Sequence, residues 1–320
     1  MVYTSFGESH GAAIGGVLDG VPAGVSVSWE MIHELLLRRS GKGMAGVSPR
    51  AVREADTVEW LSGVIQEGDR LVALGTPISF LIRNTDARSQ DYDCLKHSFR
   101  PGHADLSYQT KYGIRDYRGG GRASARETAS RVVAGGFALQ MLQDKGILIR
   151  AELIAVGTCK DPQQFEALLL KTQQQGDSIG GVVRCTVTGL PAGVGEPLAD
   201  KLSARLAEAM LSINGCHGFD YGYGFDSLDK TGKDLYIDCD GQPVSPLSAQ
   251  AMTGGIAGGI SDGTDLVFRC LFKPAATIGA LYKGRHDACI AVRAVPVVEA
   301  MTALTLQDFL LVPADASVLV

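Results

Sequence analysis

The first twenty residues read as a strand, a loop Gly7-Glu-Ser-His-Gly11, and a second apolar run over 12–18. From Ser28 the apolar spacing changes to that of a helix reaching about residue 39, with Met31, Ile32, Leu35 and Leu36 as its stripe and Ser28 as its cap. Residues 40–53 are Gly/Ser-rich, basic and aperiodic, and 57–82 hold two strand-like stretches, the second over 77–82. Residues 84–96 are polar and turn-rich. A helix is expected over 124–145, with Ala129, Val132, Val133, Phe137 and Met141 on one face. The Gly135-Gly136 pair inside it costs about 1 kcal/mol per residue relative to Ala, which calls for close packing of another backbone or a ligand. Further strands are expected over 147–156, 180–190 and 266–272, and further helices from Asp161-Pro162, over 197–213 and over 296–311. Residues 215–241 read as a long aromatic, glycine-rich loop or flap. The pattern predicts an α+β chain, and without a low-complexity linker residues 1–320 are read as one domain.

Composition narrows the function classes. With 45% hydrophobic and 20% charged residues the chain is globular, and a net charge of −5 speaks against a general polyanion binder. The 40 glycines follow no period and cluster in pairs, as tight loops and close packing require. The seven cysteines form no CxxC pair, and Cys185 and Cys270 lie inside strand-like runs as small core hydrophobes. Reduced thiols and no metal site are therefore expected, in the cytoplasm. No signal peptide and no run long enough to cross a bilayer are read in the chain, so no membrane partner is expected.

The chemistry gathers at residues 112–131, YGIRDYRGGGRASARETASR. Gly119, Gly120 and Gly121 remove three Cβ atoms in a row, and Ser124 followed by Glu127 has the spacing of a capping box. Arg115, Arg118, Arg122 and Arg126 surround the same place, so the stretch reads as an anion site at a helix N-terminus. An RGG-type single-strand binder would share these residues, but such segments are low-complexity, and this one runs into an apolar-patterned helix. His10 lies in the first loop, and a Pro101-Gly102 turn presents Arg100 and His103. Histidine titrates in the range useful for proton transfer, which makes both rings candidates for it.

Taken together, GESHG at 7–11, RPGHAD at 100–105, YGIRDYRGGGRASARET at 112–128, GDSIGG at 176–181, GGIAGGISDG at 254–263 and GRHD..IAVRAVPVVEAM at 284–301 closely resemble the chorismate synthase family. The resemblance covers essentially the whole chain. It implies a β-α-β sandwich, with helices between two antiparallel sheets, assembled as a homotetramer. It implies a lyase that converts 5-enolpyruvylshikimate 3-phosphate to chorismate by anti-1,4-elimination, with no net redox change but a need for reduced FMN.

By the same resemblance His10 sits by the departing phosphate, His103 protonates or stabilises the reduced flavin, and Asp287 shuttles the substrate C6 proton. Ser9, Arg38, Arg39, Arg100, Arg126 and Arg285 would bind substrate. FMN would take Arg122, Ala123 and Ser124, then Asn214 and Gly215, Gly258, Lys273, Pro274, Ala275, Ala276 and Thr277, and Arg285. Glycines at 254–263 would let a flavin lie against the backbone. If NADPH serves in flavin reduction, Arg39 is its candidate contact; the absence of a GxGxxG fingerprint after a strand favours a separate flavin reductase.

The chain departs from the family pattern in four places. Where the family reads RRPGxSR, it reads Arg38-Arg-Ser-Gly-Lys-Gly-Met-Ala, with Lys42 or Arg50 as substitutes for the missing arginine. It has Ala251-Met-Thr-Gly-Gly for Asn-x-Ala-Gly-Gly, His286-Asp-Ala-Cys for His-Asp-Pro-Cys, and a short stretch between Lys273 and Lys283. These changes motivate an alternative: a catalytically impaired protein of the same fold that binds flavin or a phosphorylated metabolite.

Overall fold

Two four-stranded antiparallel sheets enclose a helical layer in the computed structural model, which describes residues 1–47, 53–245, 250–279 and 287–311. The strands in chain order are β1 (Val2–Phe6), β2 (Ala13–Asp19), β3 (Ser26–Ser28), β4 (Val58–Ser62), β5 (Val64–Glu67), β6 (Arg70–Ala73), β7 (Ile78–Arg83), β8 (Leu148–Val156), β9 (Gly181–Thr188), β10 (Cys216–Tyr221), β11 (Ile256–Ala257), β12 (Ile260–Ser261) and β13 (Leu266–Phe272). The helices of eight residues or more are α1 (Trp29–Ser40), α2 (Asp105–Tyr112), α3 (Thr128–Gln143), α4 (Pro162–Gln174), α5 (Leu202–Leu211) and α6 (Ala291–Leu311).

The first sheet has the order β1-β2-β7-β4 and the second β10-β13-β9-β8; β3-β6-β5 forms a small third sheet and β11-β12 a two-residue hairpin. Helices α1, α3 and α6 pack on one another, with α3 against β2 and α6 against β8 and β9. The expected β-α-β sandwich is the observed one. A single buried cluster runs through it, from Ile14 and Phe80 of the first sheet through Phe137 of α3 and Val298 of α6 to Cys185 and Phe268 of the second.

Helix α1 follows its expectation closely. Ser28 Oγ accepts from the Met31 amide, Gly41 closes the C-terminus at φ 68°, and Ile32, Leu35 and Leu36 are buried. Asp161 likewise caps α4, accepting from the Gln163 amide. Four elements differ from the sequence reading. Residues 57–82 form four strands rather than two, because the chain passes from one sheet to another at Gly63 and turns a β5–β6 hairpin at Gly68, both with positive φ. Strand β10 lies inside the stretch read as a loop; its aromatic, polar residues pair with β13 from Cys216 to Tyr221. Helix α5 starts at Leu202, five residues later than read, since Asp200 takes φ 56° ahead of it. Helix α6 starts at Ala291, so Pro296 lies within the helix rather than at its start.

Helix α6 is also long and apolar enough to cross a bilayer, with a mean hydropathy of 1.4, against the expectation that no run is. Its residues Val297, Val298, Ala300, Ala303 and Leu306 are buried between the sheets, so this is the composition of a core helix. Its contact with α3 explains the mid-helix glycines. A Cβ on Gly135 would lie 2.3 Å from Ala300 Cβ and 2.6 Å from Ala300 Cα, so the two helices touch backbone to backbone. A Cβ on Gly136 would meet side chains rather than backbone, Ile32 Cγ1 at 3.0 Å and Leu35 Cδ1 at 3.8 Å. Gly135→Ala should therefore lower stability by about 1–3 kcal/mol through overpacking. Gly136→Ala should be near neutral, because helix propensity offsets a contact that a flexible side chain can relieve. Thermal unfolding of the two variants checks this; equal midpoints would refute the backbone contact.

Candidate active site

The glycine run forms a tight turn with φ of 61°, 82° and 53° at Gly119, Gly120 and Gly121. The turn passes between two histidines. A Cβ on Gly119 would lie 2.4 Å from His10 Cδ2 and 2.7 Å from Ser9 Oγ, and one on Gly120 would lie 2.9 Å from His103 Nε2. A Cβ on Gly121 would lie 2.6 Å from a Glu8 carboxylate oxygen. The missing side chains make room for the protein's own imidazoles and carboxylate, where the sequence reading had them make room for a ligand. Ser9 Oγ donates to the Gly119 carbonyl at 3.2 Å and fixes the approach of the first loop.

Beyond the turn two short 3-10 segments, Arg118–Ala123 and Ala125–Glu127, lead into α3. The expected capping box does not form. Ser124 Oγ accepts from the Arg126 amide, and the Glu127 carboxylate is drawn instead to Arg131 Nε at 2.9 Å. The four arginines around the turn are also engaged within the protein. Arg115 donates to the Leu95 and Ser98 carbonyls, Arg118 pairs with Asp116, and Arg122 donates to the Gly7 carbonyl and to Ser5 Oγ. Arg126 is buried between Asp56, Glu54 (3.3 Å) and Asn84 Oδ1 (3.0 Å).

A cavity of about 200 Å³ opens beside this turn. Its lining brings together five separate segments: Arg100 and His103; Ala123, Ser124 and Arg126; Asn214 and Gly215; Lys273 to Thr277; and Asp287. Hydrogen bonds fasten the segments to one another. Lys273 Nζ donates to the Gly102 carbonyl, the Lys273 amide to the Gly215 carbonyl at 3.0 Å, and Arg100 Nη1 to Thr277 Oγ1 at 3.0 Å. The 176–181 motif supports the same wall from behind, through Ser178 Oγ to the Ala275 carbonyl and Gly279 N to the Gly176 carbonyl, both 2.8 Å.

Not every candidate lies here. His10 is buried one layer behind Gly119, its Nδ1 3.1 Å from Ser89 Oγ and its ring edge-on to Tyr92, which itself lines the cavity. Arg39 lies beneath the floor, almost wholly buried, bonded to Asp56 at 3.3 Å, Thr128 Oγ1 at 3.2 Å and the Ala125 carbonyl at 2.7 Å. Its donors are engaged within the fold. Arg38 points away altogether: its fork meets Glu299 at 2.7 and 2.8 Å and lines a separate cavity with Leu139 and Ile149. Arg122 serves the first loop, and Gly258 sits on the β11–β12 turn outside the cavity lining. Gly254 and Gly255 answer to packing between loops, since a Cβ on Gly254 would lie 2.3 Å from the Gly222 amide and one on Gly255 2.7 Å from the Asp265 carbonyl, whereas a Cβ on Gly258 would meet open space. Arg285, Arg50, Lys283 and His286 lie outside the described residues.

Several site residues escaped the sequence reading. Asp105, quoted in the RPGHAD motif without a role, is buried against Arg100 and His103. Burial opposes its charge, but hydrogen bonds from Arg100 and then His103 hold its carboxyl well below the usual range. Arg293 donates to Asp287 at 2.7 Å and to the Arg39 carbonyl at 3.1 Å. Asp56 is a non-glycine residue at φ 45°, and it holds Arg39 and Arg126 together. Asp105 and Arg293 lie inside quoted motifs whose spelling does not state their pairing, and Asp56 has partners distant in sequence.

The cavity suits a flat ligand with anionic groups. Its walls include the small side chains of Ala123, Ala125, Ala275 and Ala276, and Arg100, Arg126, Lys273 and Arg293 supply positive charge. Asn214 Oδ1 is buried in this wall without a hydrogen-bond partner, while Asn214 Nδ2 donates to the Arg122 carbonyl at 3.3 Å. An orphaned acceptor in a cavity wall fits a ligand carrying an N–H donor, as a flavin ring does.

This is an α+β sandwich with a cavity lined by His103, Asp287 and several basic side chains, with His10 behind it, an arrangement that fits the active site of an enzyme. The chain belongs to the chorismate synthase family, whose profile, described as chorismate synthase, matches residues 1–311. It is 44% identical to the chorismate synthase of Phocaeicola vulgatus over 97% of this chain and 95% of that protein. It is 45% identical to that of Azobacteroides pseudotrichonymphae over 96% of each. A crystal structure of chorismate synthase superimposes with a TM-score of 0.73 at 27% identity, covering 97% of this chain and 91% of the other. Membership of this family makes the chain a lyase of aromatic amino-acid biosynthesis.

Two outcomes follow from the geometry. Gly119→Ala places a side chain at φ 61° against His10, so it should lower stability by about 1–2 kcal/mol and shift the His10 ring resonances. An unmoved His10 in this variant would contradict the packing described. The Asp56 carboxyl is also lowered: burial opposes ionisation, and Arg126 and Arg39 outweigh it. The stabilisation from a lowered carboxyl is complete above its unfolded value of about 3.9 and is lost as pH falls toward the native value. Denaturant unfolding between pH 6 and 3 should show this falling limb, and Asp56→Asn should flatten it around a lower plateau.

Proposed function

We propose that the chain converts 5-enolpyruvylshikimate 3-phosphate to chorismate and phosphate by anti-1,4-elimination, with reduced FMN held in the cavity described above. The observation that carries this reading is that His103, Asp287 and the 123–124, 214–215 and 273–277 segments line one cavity in a chain of this family. Ala123, Ser124, Asn214, Gly215 and Lys273 to Thr277 would hold the cofactor, with Asn214 Oδ1 accepting from it. Reduced FMN, when bound, supplies the electron-rich ring that lets an allylic carbon–oxygen bond break without net oxidation.

The chain's own residues have separate tasks. Arg100, Lys273 and Arg126 present positive charge where substrate and cofactor anions lie, and fixed charge of this kind stabilises a leaving phosphate as it develops. To His10, buried one layer behind Gly119 and outside the cavity lining, we assign donation to that phosphate. His103 holds a proton at the flavin. Asp287, steadied by Arg293, takes the substrate C6 proton. Buried walls around these groups limit water at the reacting atoms. Within this reading the enzyme is a cytoplasmic homotetramer, and a separate reductase supplies the reduced flavin, without an NADPH site at Arg39.

Anaerobic mixing with photoreduced FMN and the substrate tests the proposal through the diene absorbance of chorismate. Folded protein that binds both and forms no product would sink it. His10→Ala and His103→Ala should each lower turnover by about 10²–10⁴-fold, as for lost acid–base groups. Wild-type rates in both variants would refute the assigned roles.

A further inference from the structure

The Asp105 carboxylate has four hydrogen bonds and no free face. Oδ2 accepts from the Arg100 amide at 3.0 Å and from Arg100 Nε at 2.8 Å. Oδ1 accepts from Arg100 Nη2 at 2.9 Å and lies 2.9 Å from His103 Nδ1. The oxygens can only accept and the guanidinium can only donate, so Arg100 fixes the carboxylate in place and in its ionised form. We propose that Asp105 is the positioning residue for His103: it holds a proton on Nδ1 and thereby leaves Nε2 as the nitrogen presented to the cavity.

The alternative tautomer is disfavoured by the same distances. Arg100 Nη2 lies 3.2 Å from His103 Nδ1 and could in isolation donate to it. An unprotonated Nδ1 would then set its lone pair against a carboxylate oxygen 2.9 Å away, and Arg100 Nη2 already donates to that oxygen. A proton on Nδ1 removes the repulsion and adds a charge-assisted bond. The other charged groups nearby act in the same sense. Arg115 Nη1, from the loop after α2, is 3.8 Å from Asp105 Oδ1, and Lys273, from the facing wall, is tied to the Gly102 carbonyl. Both favour the ionised carboxylate. The far edge of the ring lies against Gly120, where a Cβ would come within 2.9 Å of Nε2. The glycine thus leaves that nitrogen uncovered toward the cavity that His103 lines. One face of the ring is dictated by Asp105 and the opposite edge is cleared by Gly120.

The tautomer assignment rests on this geometry alone; its effect on turnover rests on the reading that Nε2 of the neutral ring takes up the proton that His103 then holds at the bound flavin. The Asp105→Asn variant separates the two. Its amide will keep the carbonyl toward the two Arg100 donors at the Oδ2 position, so its NH₂ will face His103. Nδ1 must then accept, and the proton moves to Nε2, the wrong tautomer for taking a proton at that atom.

Long-range ¹⁵N–¹H spectra of histidine-labelled protein, at a pH where the ring is neutral, should show Nδ1–H for His103 in the wild type and Nε2–H in Asp105→Asn. The variant's kcat should fall by about 10²–10⁴-fold with KM little changed. Nε2–H in the wild-type protein would overturn the proposal without any variant, so a poorly folding Asp105→Asn leaves it testable. Retention of Nδ1–H in the variant would also overturn it. If the tautomer switches while turnover persists, His103→Ala decides which idea fails. An inactive His103→Ala overturns the positioning role, whereas an active one overturns the role given to His103 and leaves Asp105's control of the proton intact.

Discussion

Three consecutive residues without side chains stand between two imidazoles, and the geometry of the site depends on that gap. Gly119 lies against His10 and Gly120 against His103, each at a distance where a methyl group would collide. All three glycines also take positive φ, so the constraint is conformational as well as steric. Only a backbone this thin lets the first loop, the RPGHAD loop and the start of α3 converge on one place. The same turn then releases the chain into α3, whose Gly135 lets it press against α6, the helix that begins four residues after Asp287. Absent side chains therefore set both ends of the path from the histidines to the aspartate.

Charge at the site is organised in the same economical way. Nearly every arginine that the sequence places near the turn already has a partner in the protein: Asp56 and Glu54 for Arg126, Asp105 for Arg100, Asp287 for Arg293. Buried guanidinium groups without such partners would carry a large desolvation penalty. Paired in this way they stay charged, keep one orientation and need not reorganise when an anion arrives. What the cavity offers a ligand is thus a rigid field with Lys273 at its edge, together with a few unmet polar atoms such as Asn214 Oδ1.

The layers of the fold were largely legible in the sequence, because α1, α4, β8, β9 and β13 carry their periodicity and caps within a dozen residues. Strand β10 was not, since its residues Cys-His-Gly-Phe-Asp-Tyr have no alternation and are held as a strand by pairing with β13, about fifty positions away. The site divides along the same line. His10, His103, Ser124, Asn214 and Asp287 were identifiable from motifs, and the chain does bring most of them to one cavity. Arg38 and Arg39, read as ligand contacts, are engaged with Glu299 and Asp56, and residue type alone cannot distinguish an arginine that faces a cavity from one that meets a buried carboxylate. Asp56 and Arg293 went unread for the converse reason, since Asp56 meets Arg39 and Arg126, and Arg293 meets the Arg39 carbonyl, only on folding, while Asp105 had its partners Arg100 and His103 within its own motif.

The adjacent pair Arg38 and Arg39 shows how the two kinds of role are joined. Both lie in the last turn of α1, where cations are favoured by the helix dipole. Successive residues on a helix diverge by about 100°, so the two side chains leave in different directions. Arg38 clamps Glu299 of α6, and Glu299 in turn accepts from the Ala151 amide of β8 at 2.9 Å, tying α1 to the second sheet. Arg39 reaches the opposite way, beneath Ala125 and onto Asp56, while its carbonyl accepts from Arg293. Asp287, Arg293, Arg39, Asp56 and Arg126 thereby form one continuous chain of contacts under the cavity. The end of α1 thus couples the packing of the sandwich to the floor of the site. In this chain the first two residues of the RRPGxSR pattern act as scaffold, and Gly41 just after them packs against Arg293 of the same floor.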